Sequence, residues 1–501
     1  MYTWPKYPII YEINTWIWLG ELGQKHEGRI DLGSVPAGEW DYFSALKVDA
    51  VWFMGVWERS PAGIRIALQQ EDVVAEYRRV LPDFTPEDVV GSPYCVRRYR
   101  VDENLGGPKG LAVAREELAR RGIGLILDFV PNHTAHDCPW IWTHPGYYIQ
   151  GNHDDLAKDP SAYFEASGQA RGARTVIACG RDPYFPPWQD TAQVNAFDPG
   201  YRSATVESLC GILEQCDGVR CDMAMLLINE IFAKTWGPRA GKTPSREYWV
   251  EIIGAVRKRR PAALFIAEAY WDMEWELQQQ GFDFCYDKRL YDRLVSGTAS
   301  ETRLHLLADA SYQDKLLRFI ENHDEKRAAA VFPPKKQECA AVAVITLPGA
   351  KLIHDGQLEG RKIKVDVALR RRPPETLQFS LNAFYDRLLN VASSENFRDG
   401  EWRLCDLKGW PDNQSRVDIL AWCWRTGGGQ RYVIALNLSG HRSQGLVQIP
   451  WQDVAGSIWI LRDLLNGGEY ERDGDSLQNQ GLYVDLVEWG CHFFKFLRSF
   501  A

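Results

Sequence analysis

Three carboxylates stand at the ends of short apolar runs. Asp222 closes Gly218-Val-Arg-Cys-Asp, Glu268 closes Leu264-Phe-Ile-Ala-Glu, and Asp324 closes Phe319-Ile-Glu-Asn-His-Asp. A charge there is costly unless it is hydrated or paired, and for one acid alone strand-end solvation is the simple account. Here there are three, with Arg220 two residues before Asp222 on the same strand face and with His133 and His323 near two other ends. Chemistry explains the set better. Cleavage of a glycosidic bond needs one carboxylate to attack or stabilise an oxocarbenium-like carbon, and one carboxylic acid to protonate the departing oxygen. The two acids must differ in pKa, and an arginine beside one of them keeps it ionised. Histidines can donate hydrogen bonds to sugar hydroxyls as charge develops.

Such a set needs a frame that brings strand ends together. Apolar, β-rich runs recur at Ile9–Trp16, Ala50–Val56, Ile123–Val130, Gly218–Met223, Leu264–Tyr270, Phe282–Tyr286, Leu316–Glu321 and Ala341–Ile353. Several are continuous, as in parallel strands covered on both faces. Helical patterns such as Leu111–Arg121 and Arg202–Gln215 lie between them. Eight alternations of strand and helix predict an α/β fold, a (β/α)8 TIM barrel, whose active site sits at the carboxyl ends of its strands. The competing doubly wound sheet would usually carry a Gly-rich phosphate turn after its first strand, and none follows Ile9–Trp16.

Two stretches break the alternation. Residues 131–200, rich in Gly, Asp, Pro and aromatics, read as a loop-rich inserted domain after strand 3. Trp57–Asn104 is a shorter irregular stretch. After about Val391 strand-like segments take over (Asp418–Trp424, Arg431–Leu438, Gly445–Ile449, Ser457–Leu461, Gly481–Leu486), divided by turn signals such as Asn466-Gly-Gly. The expectation is a catalytic domain at 1–390, interrupted at 131–200, and a C-terminal antiparallel β-sandwich at 391–501.

Composition bounds the rest. A chain of 501 residues has room for two or three domains. Its net charge of −9 argues against nucleic acid or an anionic membrane as partner, since both need concentrated positive surface. The short basic clusters Arg257–Arg260 and Arg370–Arg372 read as solvated faces. The opening Met-Tyr-Thr-Trp-Pro has no charged region followed by an apolar core, and no apolar run reaches membrane-spanning length. Eleven scattered cysteines without a Cys-x-x-Cys pair fit reduced thiols, so a cytoplasmic location is expected. Twenty tryptophans suit stacking on sugar rings and core filling equally.

The motifs carry a resemblance. Asp128-Phe-Val-Pro-Asn-His133, Gly218-Val-Arg-Cys-Asp-Met-Ala224, Ile266-Ala-Glu268 and Asn322-His-Asp324 resemble, in order, the four motif regions of glycoside hydrolase family 13, the α-amylase superfamily. Gly55-Val-Trp-Glu-Arg-Ser-Pro61, Ser92-Pro-Tyr94, Gln193-Val-Asn195 and Leu347-Pro-Gly349 resemble its supporting motifs. The similarity runs from about Tyr11 to Gln357. It implies that Asp222 is the nucleophile of a retaining reaction, that Glu268 is the acid/base, and that Asp324 grips ring hydroxyls and counts most in the transition state. Arg220 would orient Asp222, and His133, His323, Asp128 and Tyr94 would line the subsite of the attacked glucosyl ring.

Departures narrow the expectation. Where many amylases carry a Lys-His pair after the nucleophile, this chain has Met223-Ala-Met-Leu-Leu227, which weakens polysaccharide amylase activity and structural calcium together. Asn132 matches a position that can bind calcium, but one oxygen is not a site. Hydrogen bonding within the insertion is the simpler role, and no cofactor is required. Cys95 and Arg98 stand where acids are common; Cys95 reads as packing, and so does Cys221 on the opposite strand face from Asp222. Tyr270, Trp271 and Trp275 either wall the leaving-group side or pack a helix. The expected activity is hydrolysis of malto-oligosaccharides or small α-glucosides. A transglycosylase or sugar phosphorylase using the same acids, and a non-catalytic carbohydrate-binding or interaction protein, are the alternatives.

Overall fold

A computed structural model describes residues 2–167, 174–395 and 397–499. Eight strands supply the frame: β1 (Ile9–Asn14), β2 (Ala50–Met54), β3 (Gly124–Phe129), β4 (Gly218–Cys221), β5 (Leu264–Ala267), β6 (Phe284–Tyr286), β7 (Leu316–Arg318) and β8 (Ala350–His354). They form a closed barrel in sequential order. Every residue of β1 to β7 is buried. That burial on both faces is why the runs lack polar alternation.

The chain divides into two compact units. The first holds Met1–Trp4, Ile10–Tyr286 and Ile363–Pro374. In it β1 to β6 pair in parallel, with Arg220 of β4 opposite Asp128 of β3 and Ile266 of β5. The ladder runs one residue past the strands: Asp222 N–H donates to Phe129 O at 2.9 Å, and Glu268 N–H to Cys221 O at 3.0 Å. Both carboxylates are therefore fixed by backbone, at one level. Helices Gly107–Arg120, Pro199–Ile212 and Tyr248–Arg259 fall at the expected connections.

The insertion after β3 has more structure than its composition suggests. His133–Ala135, Trp188–Gln193, Arg174–Gly180 and Tyr163–Ser167 form, in that order, a four-stranded antiparallel sheet. Its pairing is non-local, so it leaves little periodic trace in sequence. Trp57–Asn104 likewise contains an antiparallel strand pair, Trp57–Arg59 with Val96–Val101, and two helices between them, Pro61–Gln69 and Glu71–Val80.

The second unit holds Pro5–Ile9, Asp287–Lys362 and Glu375–Ala501. Here the strand expected at Ala341–Ile353 is corrected: Pro334–Thr346 is a helix, and β8 begins at Ala350. Residues Cys339–Thr346 are buried all round, and an all-apolar helix reads like a buried strand over so short a window. Gly349 makes the turn between them at φ +88°, where an added Cβ would lie 2.3 Å from Leu316 O. The C-terminal strands are β9 (Glu401–Leu404), β10 (Leu407–Lys408), β11 (Ile419–Arg425), β12 (Arg431–Asn437), β13 (Ser443–Val447), β14 (Ile458–Asp463), β15 (Glu469–Asp473), β16 (Leu482–Leu486) and β17 (Cys491–Arg498). They form a six-stranded sheet, β9-β11-β12-β17-β14-β15, and a three-stranded sheet, β10-β13-β16. Val433, Leu461 and Phe494 of the larger sheet share an apolar core with Val447 and Val484 of the smaller one, which makes a two-layer sandwich.

Candidate active site

Arg220 is the centre of the first unit's polar cluster. Its Nη1 lies 2.7 Å from Asp222 Oδ1 and 3.7 Å from Asp128 Oδ1, and its Nη2 lies 2.9 Å from Glu268 Oε2. All four side chains are at least nine-tenths buried. Burial opposes the guanidinium charge, yet Glu268 and Asp222 outweigh it and hold the Arg220 pKa well above its usual value. The planar guanidinium thus fixes two carboxylates from neighbouring strands at its two ends.

Glu268 and Asp128 each have a further anchor. Glu268 Oε2 accepts the Met223 N–H at 2.6 Å, and Oε1 accepts the Tyr270 hydroxyl at 3.2 Å. Asp128 Oδ2 accepts the Gly55 N–H at 3.3 Å. Gly55 holds φ +78° at the end of β2, where a Cβ would strike Arg59 and Pro93. Met223 takes φ +43°, and the following Ala224 N–H donates to Glu268 O at 3.1 Å. Backbone of the Met-Ala-Met-Leu-Leu stretch therefore holds Glu268 in place.

The aromatic wall is closer to Arg220 than the motifs alone suggest. Tyr94 lies over the guanidinium at 5.0 Å, Trp52 at 5.3 Å and Tyr286 at 5.7 Å. Arg220 Nε also donates to Tyr286 Oη at 3.3 Å. Trp52 and Tyr286 were not singled out from the sequence; the period-two position of Trp52 within β2 was the available signal. His133 is buried, stacks obliquely on Trp188 at 5.1 Å and hydrogen-bonds the Tyr94 backbone. Burial lowers its pKa to about 4, so the ring is neutral near pH 7. Trp271 touches Tyr184 edge-on at 4.9 Å.

In the second unit, Asp324 follows β7 by six residues. Asn322 Oδ1 accepts the N–H groups of Asp324 and Glu325 at 2.9 and 2.8 Å, which fixes the turn. The buried His323 places Nε2 3.0 Å from Asp324 Oδ2, and the Asp324 side chain is 42% exposed.

Along about three quarters of its length the chain is similar to two α-amylases: 24% identical over 383 residues to MalA of Haloarcula japonica, and 22% over 393 residues to α-amylase 3 of Dictyoglomus thermophilum. These matches take in 75% and 72% of this chain but only 47% and 66% of the relatives. The maltogenic α-amylase AmyB of Thermotoga neapolitana shares the fold with a TM-score of 0.69 over 98% of this chain and 99% of its own, at 17% identity. The chain is thus similar in sequence to α-amylases and shares the fold of one. No family model matches it.

Asn132 is engaged within the insertion by Gln193. Calcium takes six or more oxygens. Asn132 Oδ1 accepts from Gln193 Nε2 at 3.0 Å and its amide faces Gln193 Oε1 at 3.3 Å, and among the described residues no group of three or more His, Cys, Asp or Glu is placed to hold a metal. Cys95 donates to Asp190 O at 3.1 Å, and burial pushes its thiol pKa well up; such a thiol packs and does not attack. Cys221 is fully buried. Arg98 faces Glu58 at 3.5 Å. None of the eleven cysteines forms a disulfide, and among the described residues no helix is long and apolar enough to cross a membrane.

Proposed function

We propose that this chain is a retaining glycoside hydrolase cleaving α-glucosidic bonds in malto-oligosaccharides or small α-glucosides. One observation carries the reading: Arg220 is shared between Asp222 and Glu268 at the ends of adjacent parallel strands. In the first step an Asp222 carboxylate oxygen forms a bond to the anomeric carbon as the glycosidic bond breaks, and Glu268 gives its proton to the departing oxygen. Because Glu268 Oε2 already accepts the Met223 N–H and faces the Arg220 guanidinium as an ion pair, the proton belongs on Oε1, beside Tyr270. In the second step water attacks the same carbon, returns a proton to Oε1 and releases Asp222. Arg220 keeps Asp222 ionised and Glu268 aimed, and neutral His133 binds hydroxyls without adding charge.

Asp324, oriented by Asn322 and His323, is in this reading the carboxylate that binds ring hydroxyls. Tyr94 supplies a ring for the attacked sugar, and Asp128 lines the same subsite. The same proposal keeps the catalytic domain at 1–390 around the 131–200 insertion, the sandwich at 391–501, and a cytoplasmic location.

The test is product analysis. The purified chain is given maltose, maltotriose, maltohexaose, sucrose and trehalose, with and without phosphate, and the first-formed anomer is read by proton NMR. Release of α-anomeric sugar, unaffected by phosphate, is expected. A β-anomer would exclude double displacement, and glucose 1-phosphate would make the enzyme a phosphorylase.

A further inference from the structure

We infer that Glu321, Arg327 and His354 are positioning residues for Asp324, a buried ion cluster that clips the loop after β7 and sets the aim of the Asp324 carboxylate. This inference rests on the reading above, in which Asp324 binds ring hydroxyls, and adds the groups that hold it.

The loop at 319–327 carries Asn322-His-Asp324, and one side chain joins its two ends. Glu321, three residues past β7 and fully buried, accepts the Ala328 N–H through Oε2 at 2.6 Å. Its Oε1 lies 3.0 Å from Arg327 Nη1 and 3.3 Å from His354 Nδ1. Arg327 is the pivot. A guanidinium has only donors, so Nη1 donates to His354 Nδ1 at 2.7 Å, and Nη2 donates to the Asp355 carbonyl at 2.8 Å. The turn at Gly356 leaves room for that fork, since at its φ of +88° an added Cβ would strike Arg327 Nη2. β8 ends at His354. The loop bearing Asp324 is therefore tied to the end of the next barrel strand by buried, directional contacts.

Stability is a poor account of this cluster. Glu321 and Arg327 are both buried, and the His354 side chain is only 12% exposed. The attraction within such a pair is largely offset by its desolvation, and apolar residues of the same volume often serve folding as well or better. Arg327 Nε, moreover, is buried with no hydrogen-bond partner among the described residues, a cost that a purely structural cluster would shed. What charge-assisted contacts supply and apolar ones do not is a fixed direction. Asp324 is the group that gains by it. Its side chain is 42% exposed, and its backbone is set by Asn322 within the same loop. A carboxylate presented to solvent on a loop is placed only as precisely as the base of that loop.

The experiment is a double-mutant cycle on the full chain, with kcat and KM for maltotriose hydrolysis and a urea midpoint measured for each variant. Arg327→Lys keeps the charge and loses the fork. It should lower kcat about tenfold while KM and the urea midpoint stay close to the parent's. In an Asp324→Asn background, assayed at high enzyme concentration, the same change should cost less than about twofold, because its effect passes through Asp324. A second variant, Glu321→Gln with Arg327→Met, removes both charges without leaving one unpaired, and should reproduce the tenfold loss in a folded chain. Equal losses in the parent and Asp324→Asn backgrounds, or undiminished kcat in both variants, would overturn the positioning role and leave the reading of Asp324 standing. Undiminished turnover in Asp324→Asn alone would overturn that reading and the inference with it.

Discussion

Each compact unit buries an arginine among acids, and the two clusters do different work. In the second unit Arg318 sits between Asp287, at 3.1 Å, and the carbonyl of Pro348, at 2.7 Å, and its remaining end donates to Gln313. Asp287 also meets His305, at 2.8 Å, and caps the helix Lys288–Ser296 through the Leu290 N–H. Burial alone would raise the Asp287 pKa, but His305, Arg318 and that N–H hold it down to about 2. Charge and hydrogen bonds close on themselves there, and the groups they hold are loops and a helix end. In the first unit one guanidinium faces Asp222, Glu268 and Asp128, three acids to one base, with aromatic rings over its remaining surface. That surplus of carboxylate is poor glue and suits a reaction that moves a proton and builds positive charge on a sugar.

The comparison makes predictions, of which Asp222→Asn has the largest effect: turnover of α-glucosides should fall on the order of a thousandfold or more, with ligand binding kept. Undiminished cleavage in that variant would remove Asp222 from the chemistry. Arginine replacements separate the clusters next. Arg220→Met should lower kcat by about a hundredfold. Arg318→Met should cost about 3–5 kcal/mol of stability, read as a lower denaturant midpoint, and leave kcat of the folded fraction within about twofold. A comparable kcat loss in both would erase the distinction.

Acid sensitivity sharpens it further. Burial depresses His133 to about 4, as it does His136, so the unfolded chain takes up those protons first as pH falls. Their contribution to stability is complete above the ordinary histidine pKa and is lost between about 6.5 and 4, by about 3 kcal/mol per ring. The Asp287 contribution has the same sign at lower pH, present above the usual aspartate value and lost as pH falls through about 2. Thermal melts from pH 7 to 4 should flatten in a His133→Asn variant and keep their slope in Asp287→Asn. The smallest effect belongs to Tyr270→Phe, where loss of one hydroxyl should lower kcat a few-fold and leave the melting temperature unchanged.

Much of this was legible in one sequence because covalent spacing and burial write directly into it. Continuous apolar runs located seven of the eight barrel strands, since a strand covered on both faces has no polar alternation to hide it. Arg220 and Asp222 share a face because they are two residues apart on a strand. The eighth strand was overestimated because the buried residues 339–346 form a helix that is apolar all round. The strands at Glu401–Leu404, Leu407–Lys408, Glu469–Asp473 and Cys491–Arg498 were missed, Glu401–Leu404 and Glu469–Asp473 being largely exposed edge strands with charged sequences.

Sequence by itself fixed which acids end which strands, and that Arg220 must stand beside Asp222. It did not contain the meeting of Arg220 with Glu268, the capture of Glu268 by the Met223 amide, or the contact of Tyr184 with Trp271. Those join residues 45 to 87 positions apart, and only parallel register and the return of the insertion bring them together. Local chemistry is set by spacing along the chain; partnership across it is set by packing, which no short window of residues encodes.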